Sequence, residues 1–224
     1  MLDLAIWNLT LPVGSPATVI ETSVLAQGYQ DPYFESSSGV IFFWAPVTGS
    51  TTENASYPRS ELRETFADGQ LRNWTYPSAD NFLRASLTVD QVPSTGKVVI
   101  GQIHAYQSSY PMLKLEYQYS STTKTGKIVA KVRGTPGDSP IQVITVAQGV
   151  ALSQRFTYSI HLTPGGTLSV NANSYNWSSK LDPAWAPKPL YFKAGMYVQD
   201  NSGLETEGGK ANFYKLEVEH RPLL

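Results

Sequence analysis

The sequence predicts an all-β fold, a sandwich of two antiparallel sheets, and three observations carry that expectation. Apolar and polar residues alternate in short runs, the runs are separated by Gly, Pro, Asn and Ser, and no segment keeps a helical period beyond a turn or two near 21–27. Many short strands with tight turns suit two sheets that each bury one face against the other. With 224 residues and no internal repeat, low-complexity tract or linker, the chain reads as a single domain over 1–224.

The candidate strands follow in order. VIFFWAPV (40–47), PRSELRET (58–65), FLRASLTVD (82–90), KVVIGQIH (97–104) and MLKLEYQYS (112–120) make the first group. KIVAKVRG (127–134), PIQVITVAQ (140–148), RFTYSIHL (155–162) and TLSVNAN (167–173) come next, the last two joined across Pro164-Gly165-Gly166, a hairpin signal. LYFKAGMYVQ (190–199) and ANFYKLEVEH (211–220) complete the set. Hydrophobic residues make up 41% and aromatics 12% of the chain, enough to fill a core between two sheets.

Composition also excludes. A net charge of −1 gives no global field for nucleic acid, so an acidic partner must be met by a local cluster of cations. The absence of cysteine removes disulfides, zinc thiolate sites and thiol nucleophiles. No apolar run approaches the roughly 20 residues of a membrane span, and no membrane partner is expected. MLDLAIWNLTLPVG lacks the basic and apolar regions of a signal peptide, so the expectation is a mature secreted or periplasmic domain, with a cytoplasmic one as the alternative. The sequons at Asn8, Asn54, Asn73 and Asn176 hint at secretion, and the chain is expected to act as a monomer.

Three distant strands share an unusual pattern. In RSELRE, Arg59, Glu61 and Arg63 fall on one face; in GQIH, Gln102 and His104 do; in YFKAGMYVQ, Tyr191, Lys193, Tyr197 and Gln199 do. Taken singly, an Arg-Glu-Arg row is most often a solvated salt-bridge ladder and a lone His a surface residue. Together, on an outer sheet face, the rows would tile a polar, net cationic groove in which Glu61 orients the two arginines. That combination suits β-elimination from a uronate. The C5 proton next to the carboxylate is weakly acidic, and donors on the carboxyl oxygens stabilise the charge that grows there. A base then removes the proton and an acid protonates the departing O4. Histidine suits such work near neutral pH, and tyrosine does so if nearby cations, here Arg59, Arg63 and Lys193, lower its pKa. No metal or cofactor is needed.

RSELRE (59–64), QIH (102–104) and YFKAGMYVQ (191–199), in that order and spacing, resemble the three signature blocks of alginate lyases of polysaccharide lyase family 7. The opening WNLTLPVG and the Gly-rich loop before the final strand are similar as well, so the resemblance covers essentially the whole chain. It implies a β-jelly-roll with the blocks on adjacent strands of a concave sheet, and cleavage of alginate by β-elimination. Arg59 and Gln102 would neutralise the substrate carboxylate, His104 would be the base or share that role, and Tyr197 the acid. For mannuronate, Tyr197 could be both. Arg63, Lys193 and Gln199 would line subsites beside Glu61. The isoleucine of QIH leans toward guluronate-containing or mixed blocks, and the loops 49–56, 105–111 and 201–210 would flank the groove.

Competing readings differ in chemistry. A glycoside hydrolase needs two carboxyl groups across one bond, but Glu61 and Glu64 point to opposite faces of their strand and Glu116 has no evident acidic partner. A non-catalytic polysaccharide-binding module would not need Gln102, His104 and Tyr197 together. A lyase for another polyuronide, such as a glucuronan, shares the C5 chemistry. His161 and His220 have no Asp or Glu at ligand spacing, which argues against a metal site, and no serine sits in a nucleophile elbow.

Overall fold

The computed structural model describes residues 2–224. In chain order the strands are β1 (Trp7–Thr10), β2 (Val19–Ile20), β3 (Phe34–Ser37), β4 (Val40–Pro46), β5 (Arg59–Glu64), β6 (Ala79–Gln91), β7 (Lys97–Ala105) and β8 (Leu113–Ser120). They continue with β9 (Thr125–Arg133), β10 (Ile141–Val150), β11 (Phe156–Leu162), β12 (Thr167–Ala172), β13 (Tyr175–Lys180), β14 (Leu190–Val198) and β15 (Gly208–Pro222). The short helix α1 spans Thr22–Ala26, inside the stretch where the sequence allows a turn or two.

The strands form an eight-stranded sheet in the order β10-β9-β8-β7-β14-β5-β1-β2 and a seven-stranded sheet in the order β13-β12-β11-β6-β15-β4-β3. Alternation decides which side chains meet between them. On β5, Leu62 points inward; on β14, Phe192, Ala194, Met196 and Val198 do; on the opposing sheet Leu83, Ala85 and Leu87 of β6 and Phe213 of β15 face them in one continuous core. Phe34, Phe43 and Phe213 pack edge to face, with ring centroids 5.4 and 5.2 Å apart. Truncating one such buried Phe to Ala would cost about 3–5 kcal/mol. The predicted hairpin at 164–166 joins β11 and β12.

The three blocks lie on β5, β14 and β7, side by side, with β14 in the middle. Cross-strand register sets Lys193 opposite both Arg63 and Gln102, Tyr191 opposite His104, and Tyr197 opposite Arg59. A break in both ladders of β7 makes this possible: on the β14 side the pairing passes from Ala194–Gly101 to Tyr197–Val99, and on the β8 side it slips as well. The pairing of β7 with β8 passes from Val99–Glu116 directly to Gly101–Leu115, so Ile100 is an extra residue. Ile100 turns into the core, as does the position of Gly101, and the alternation restarts with Gln102 and His104 on the polar face. Tyr158 of β11 reaches across the sandwich to donate a hydrogen bond to the Ile100 carbonyl, at 2.8 Å. A Cβ at Gly101 would lie 2.7 Å from that hydroxyl, so only glycine fits under it.

The polar face is not the solvent-exposed face that the sequence suggests. Arg59, Glu61, Arg63, Gln102 and Lys193 are all buried, and β5 is buried on both sides, by the core below and by its polar neighbours above.

Candidate active site

Above these strands lies an open cleft of about 530 Å³. Arg59, Gln102, His104, Tyr191, Lys193, Tyr197 and Gln199 line its floor, with Lys114 of β8 beside them; residues 52–57 and Ser108, Ser109 and Pro111 form its walls. Two of the three loops expected to flank the groove are therefore there. The segment 201–210 is not among the lining residues; Asn201 Nδ2 donates to the carbonyl of Ser56 and braces the first wall.

Glu61 is the hub of the floor. Its carboxylate accepts from Arg59 Nη1 at 2.9 Å, Lys193 Nζ at 2.8 Å and Gln102 Nε2 at 2.8 Å. Burial pushes the Glu61 carboxyl up, but Lys193, Arg59 and these hydrogen bonds outweigh it and hold the pKa down to about 2. The residue is thus a fixed anion that aims one guanidinium, one ammonium and one carboxamide. It does not orient Arg63, contrary to the sequence expectation. Arg63 donates through Nη1 to the carbonyls of Glu64 and Arg72 and through Nη2 to Asn73 Oδ1, and it does not line the cleft.

Burial, together with the charge of Lys193, lowers the pKa of His104 to about 4, so its imidazole is neutral near pH 7. Its Nδ1 lies 2.9 Å from the carbonyl of Ala105. A carbonyl only accepts, so Nδ1 carries the proton and Nε2 is left with a lone pair, the form a base requires. Tyr197 lies under Arg59, whose Cζ is 3.8 Å from the phenol ring centroid. The cations do not lower its pKa as the sequence reading supposed. Burial raises it, Arg59 opposes only in part, and Glu61 adds to the rise, so the phenol keeps its proton. A neutral imidazole and a protonated phenol share one cleft with a guanidinium and a carboxamide.

A family model described as alginate lyase matches residues 2–220. The chain belongs to that family, the alginate lyases of polysaccharide lyase family 7. It is similar to an alginate lyase of Pseudomonas aeruginosa at 45% identity, covering 98% of this chain and 100% of that one, with a TM-score of 0.95. An alginate lyase of Klebsiella pneumoniae is 29% identical over 97% of this chain and 89% of its own length. A family 7 alginate lyase in complex with substrate (GGMG) is 32% identical, with a TM-score of 0.83 over 100% of this chain and 96% of that one. Alginate lyase activity and the sandwich expected from the family blocks both stand.

Within this alginate lyase, Lys114 is absent from the sequence reading, and Tyr191, which that reading puts on the polar row, has no role there. Lys114 donates to Gln199 Oε1 at 3.3 Å and adds a cation to the floor. Its run MLKLEYQYS alternates visibly, with Leu113, Leu115 and Tyr117 buried in the core, so its polar face was legible. Tyr191 stacks on His104, with ring centroids 5.4 Å apart and planes at 22°. The two other histidines do have carboxylate partners, brought by other strands. His161 Nε2 meets Asp80 at 2.6 Å, and His220 is bonded to Glu64 and Asn81 on the core side. Among the described residues no group of three or more His, Cys, Asp and Glu could hold a metal ion.

Proposed function

We propose that the cleft cleaves alginate by β-elimination, with Arg59 and Gln102 on the uronate carboxylate, His104 as the base that removes the C5 proton and Tyr197 as the acid that protonates the leaving O4. The observation that carries this reading is the Glu61 hub, which fixes both carboxylate-binding donors on the same floor as a neutral imidazole and a protonated phenol. As the C5–H bond breaks, the electron pair moves toward the carboxyl group, whose oxygens gain negative charge opposite Arg59 and Gln102. The pair then forms the C4–C5 double bond as the C4–O4 bond breaks, and O4 takes the tyrosine proton. Where the proton and O4 lie on the same side of the ring, as in mannuronate, this reading gives Tyr197 a share in both transfers.

Lys193 and Lys114 hold flanking carboxylates in this reading, and Gln199, fixed through Lys114 and the Val198 carbonyl, shapes that end of the cleft. Hydrolysis is disfavoured, because Glu61, held at about 2 by its cations, cannot serve as a proton donor near neutral pH. The lean toward guluronate-containing chains rests on the family. Ile103 itself lies in the core and touches no sugar.

The test is digestion of alginate with absorbance of the unsaturated uronate and reducing ends measured in parallel. One chromophore should appear for each new reducing end, on separated mannuronate, guluronate and mixed blocks in turn. Reducing ends without the chromophore would mean hydrolysis, and rapid cleavage of glucuronan but not alginate would move the substrate to another polyuronide.

A further inference from the structure

Arg63 has the residue type and strand position of a substrate ligand, yet its guanidinium is committed elsewhere. Its Nη1 and Nη2 hydrogen bonds, at 2.6, 2.9 and 2.6 Å, fix it to Glu64, Arg72 and Asn73, and only 8% of the residue is exposed. Its π-surface lies on Tyr191, with Cζ 3.6 Å from the centroid of that ring. Because β14 runs between β5 and β7, Tyr191 has Arg63 of β5 on one side and His104 of β7 on the other.

We infer that Arg63 and Tyr191 are positioning residues for the base, a guanidinium–phenol stack that presses the His104 imidazole into its reactive orientation rather than a subsite for the polysaccharide. This rests on His104 being the base.

The physical case has three parts. A histidine side chain rotates about two bonds, and the single hydrogen bond from Nδ1 to Ala105 leaves it free to swing about that contact. A flat ring packed nearly parallel to it removes the swing, and His104 itself lines the cleft. The stack must itself be rigid, and a guanidinium anchored at three points does this where a lysine could not, because an ammonium offers neither a plane nor a fork. Near-attack geometry is what such support would secure, and a misplacement of about 1 Å can cost on the order of 100-fold in rate.

The experiment uses the full chain with Arg63→Ala, Arg63→Lys, Tyr191→Leu and Tyr191→Phe, each measured for kcat and KM on alginate and for the titration of His104 by NMR. Arg63→Ala, Arg63→Lys and Tyr191→Leu should lower kcat by roughly 10- to 100-fold and move KM by less than about 3-fold. In Tyr191→Leu the titration of His104 should move up from about 4 toward the ordinary histidine value, as water reaches the ring. Tyr191→Phe, which keeps the plane, should recover most of the lost kcat. The inference is overturned if Arg63→Ala or Tyr191→Leu raises KM with kcat intact, or if Arg63→Lys works as well as arginine, because charge toward substrate would then be its role. It is equally overturned if His104 titrates as before in Tyr191→Leu. The NMR readout does not depend on catalysis, so it separates this stack from the assignment of the base, which fails instead if His104→Ala keeps its turnover. Any variant too unstable to assay leaves the other substitution on the same stack to decide.

Discussion

Replacing Glu61 by Gln keeps the shape of the floor and removes the one charge that holds it together. Against the upward push of burial, Lys193, Arg59 and the hydrogen bonds from Lys193 and Gln102 hold the carboxyl from 4.5 down to about 2. The interval from 4.5 to about 2, at about 1.4 kcal/mol per pH unit, makes the ionised carboxylate worth about 3 kcal/mol to the folded state. Mutational experience points the same way, since removing one member of a buried ion pair costs about 3–5 kcal/mol and leaves the other charge unpaired. Because the folded value is depressed, this stability is fully present above pH 4.5 and is lost as pH falls toward about 2. Urea unfolding of wild type and Glu61→Gln at pH 7 should therefore differ by about 3 kcal/mol, and the difference should shrink at pH 3. A gap at pH 7 below about 1 kcal/mol, the level of an exposed pair, or a gap that does not change between the two pH values, would refute the hub.

Further outcomes follow from the same geometry. His104→Ala should lose about 100- to 10,000-fold in kcat while remaining folded, and a variant with near-normal turnover would remove the residue from its role. In the wild type, kcat/KM should fall as pH drops through about 4, where His104 gains a proton. It should fall again as pH rises through about 8, where Lys193, its pKa lowered by burial and by Arg59, loses its charge; a flat profile across pH 5–10 would contradict the second limb. Tyr197→Phe removes the acid without altering the ring under Arg59, so kcat should fall by about 100-fold or more with KM little changed. Tyr158→Phe, on the core side of the sheet, should cost about 1–3 kcal/mol in urea unfolding, because the Ile100 carbonyl loses its donor at the bulge. An effect below about 0.5 kcal/mol there would mean that the bulge is held by the strands alone.

Much of this molecule could be read from alternation. The long strands β4 to β12, β14 and β15 carry a clear apolar face, and each was expected within a few residues of where it lies. β1, β2, β3 and β13 were not, because strands of two to four residues give too few alternations, and β13 is an edge strand with most of its side chains exposed. The polar rows of β5, β7 and β14 were legible for the same reason as the core, since the side-chain period of two writes both faces at once. What a linear pattern could not give was partnership. Arg63 finds Arg72 and Asn73 in an irregular segment, so no periodicity announces that its donors are already engaged. The pKa of Tyr197 rises because the phenol is packed in, and burial of a polar face depends on walls supplied by residues 52–57 and 108–111. The bulge did leave a trace. Gly101 interrupts an otherwise β-branched run, the signal of a close backbone approach, and the ring that demands it comes from β11 of the other sheet.

The most direct test is a crystal structure of the Tyr197→Phe variant with an alginate tetrasaccharide bound across the cleft. The account predicts one uronate with its carboxyl oxygens on Arg59 and Gln102 and its C5 roughly 3–3.5 Å from His104 Nε2, with the substituted phenyl ring facing O4. A carboxylate held instead by Lys114, with C5 turned away from the imidazole, would contradict it.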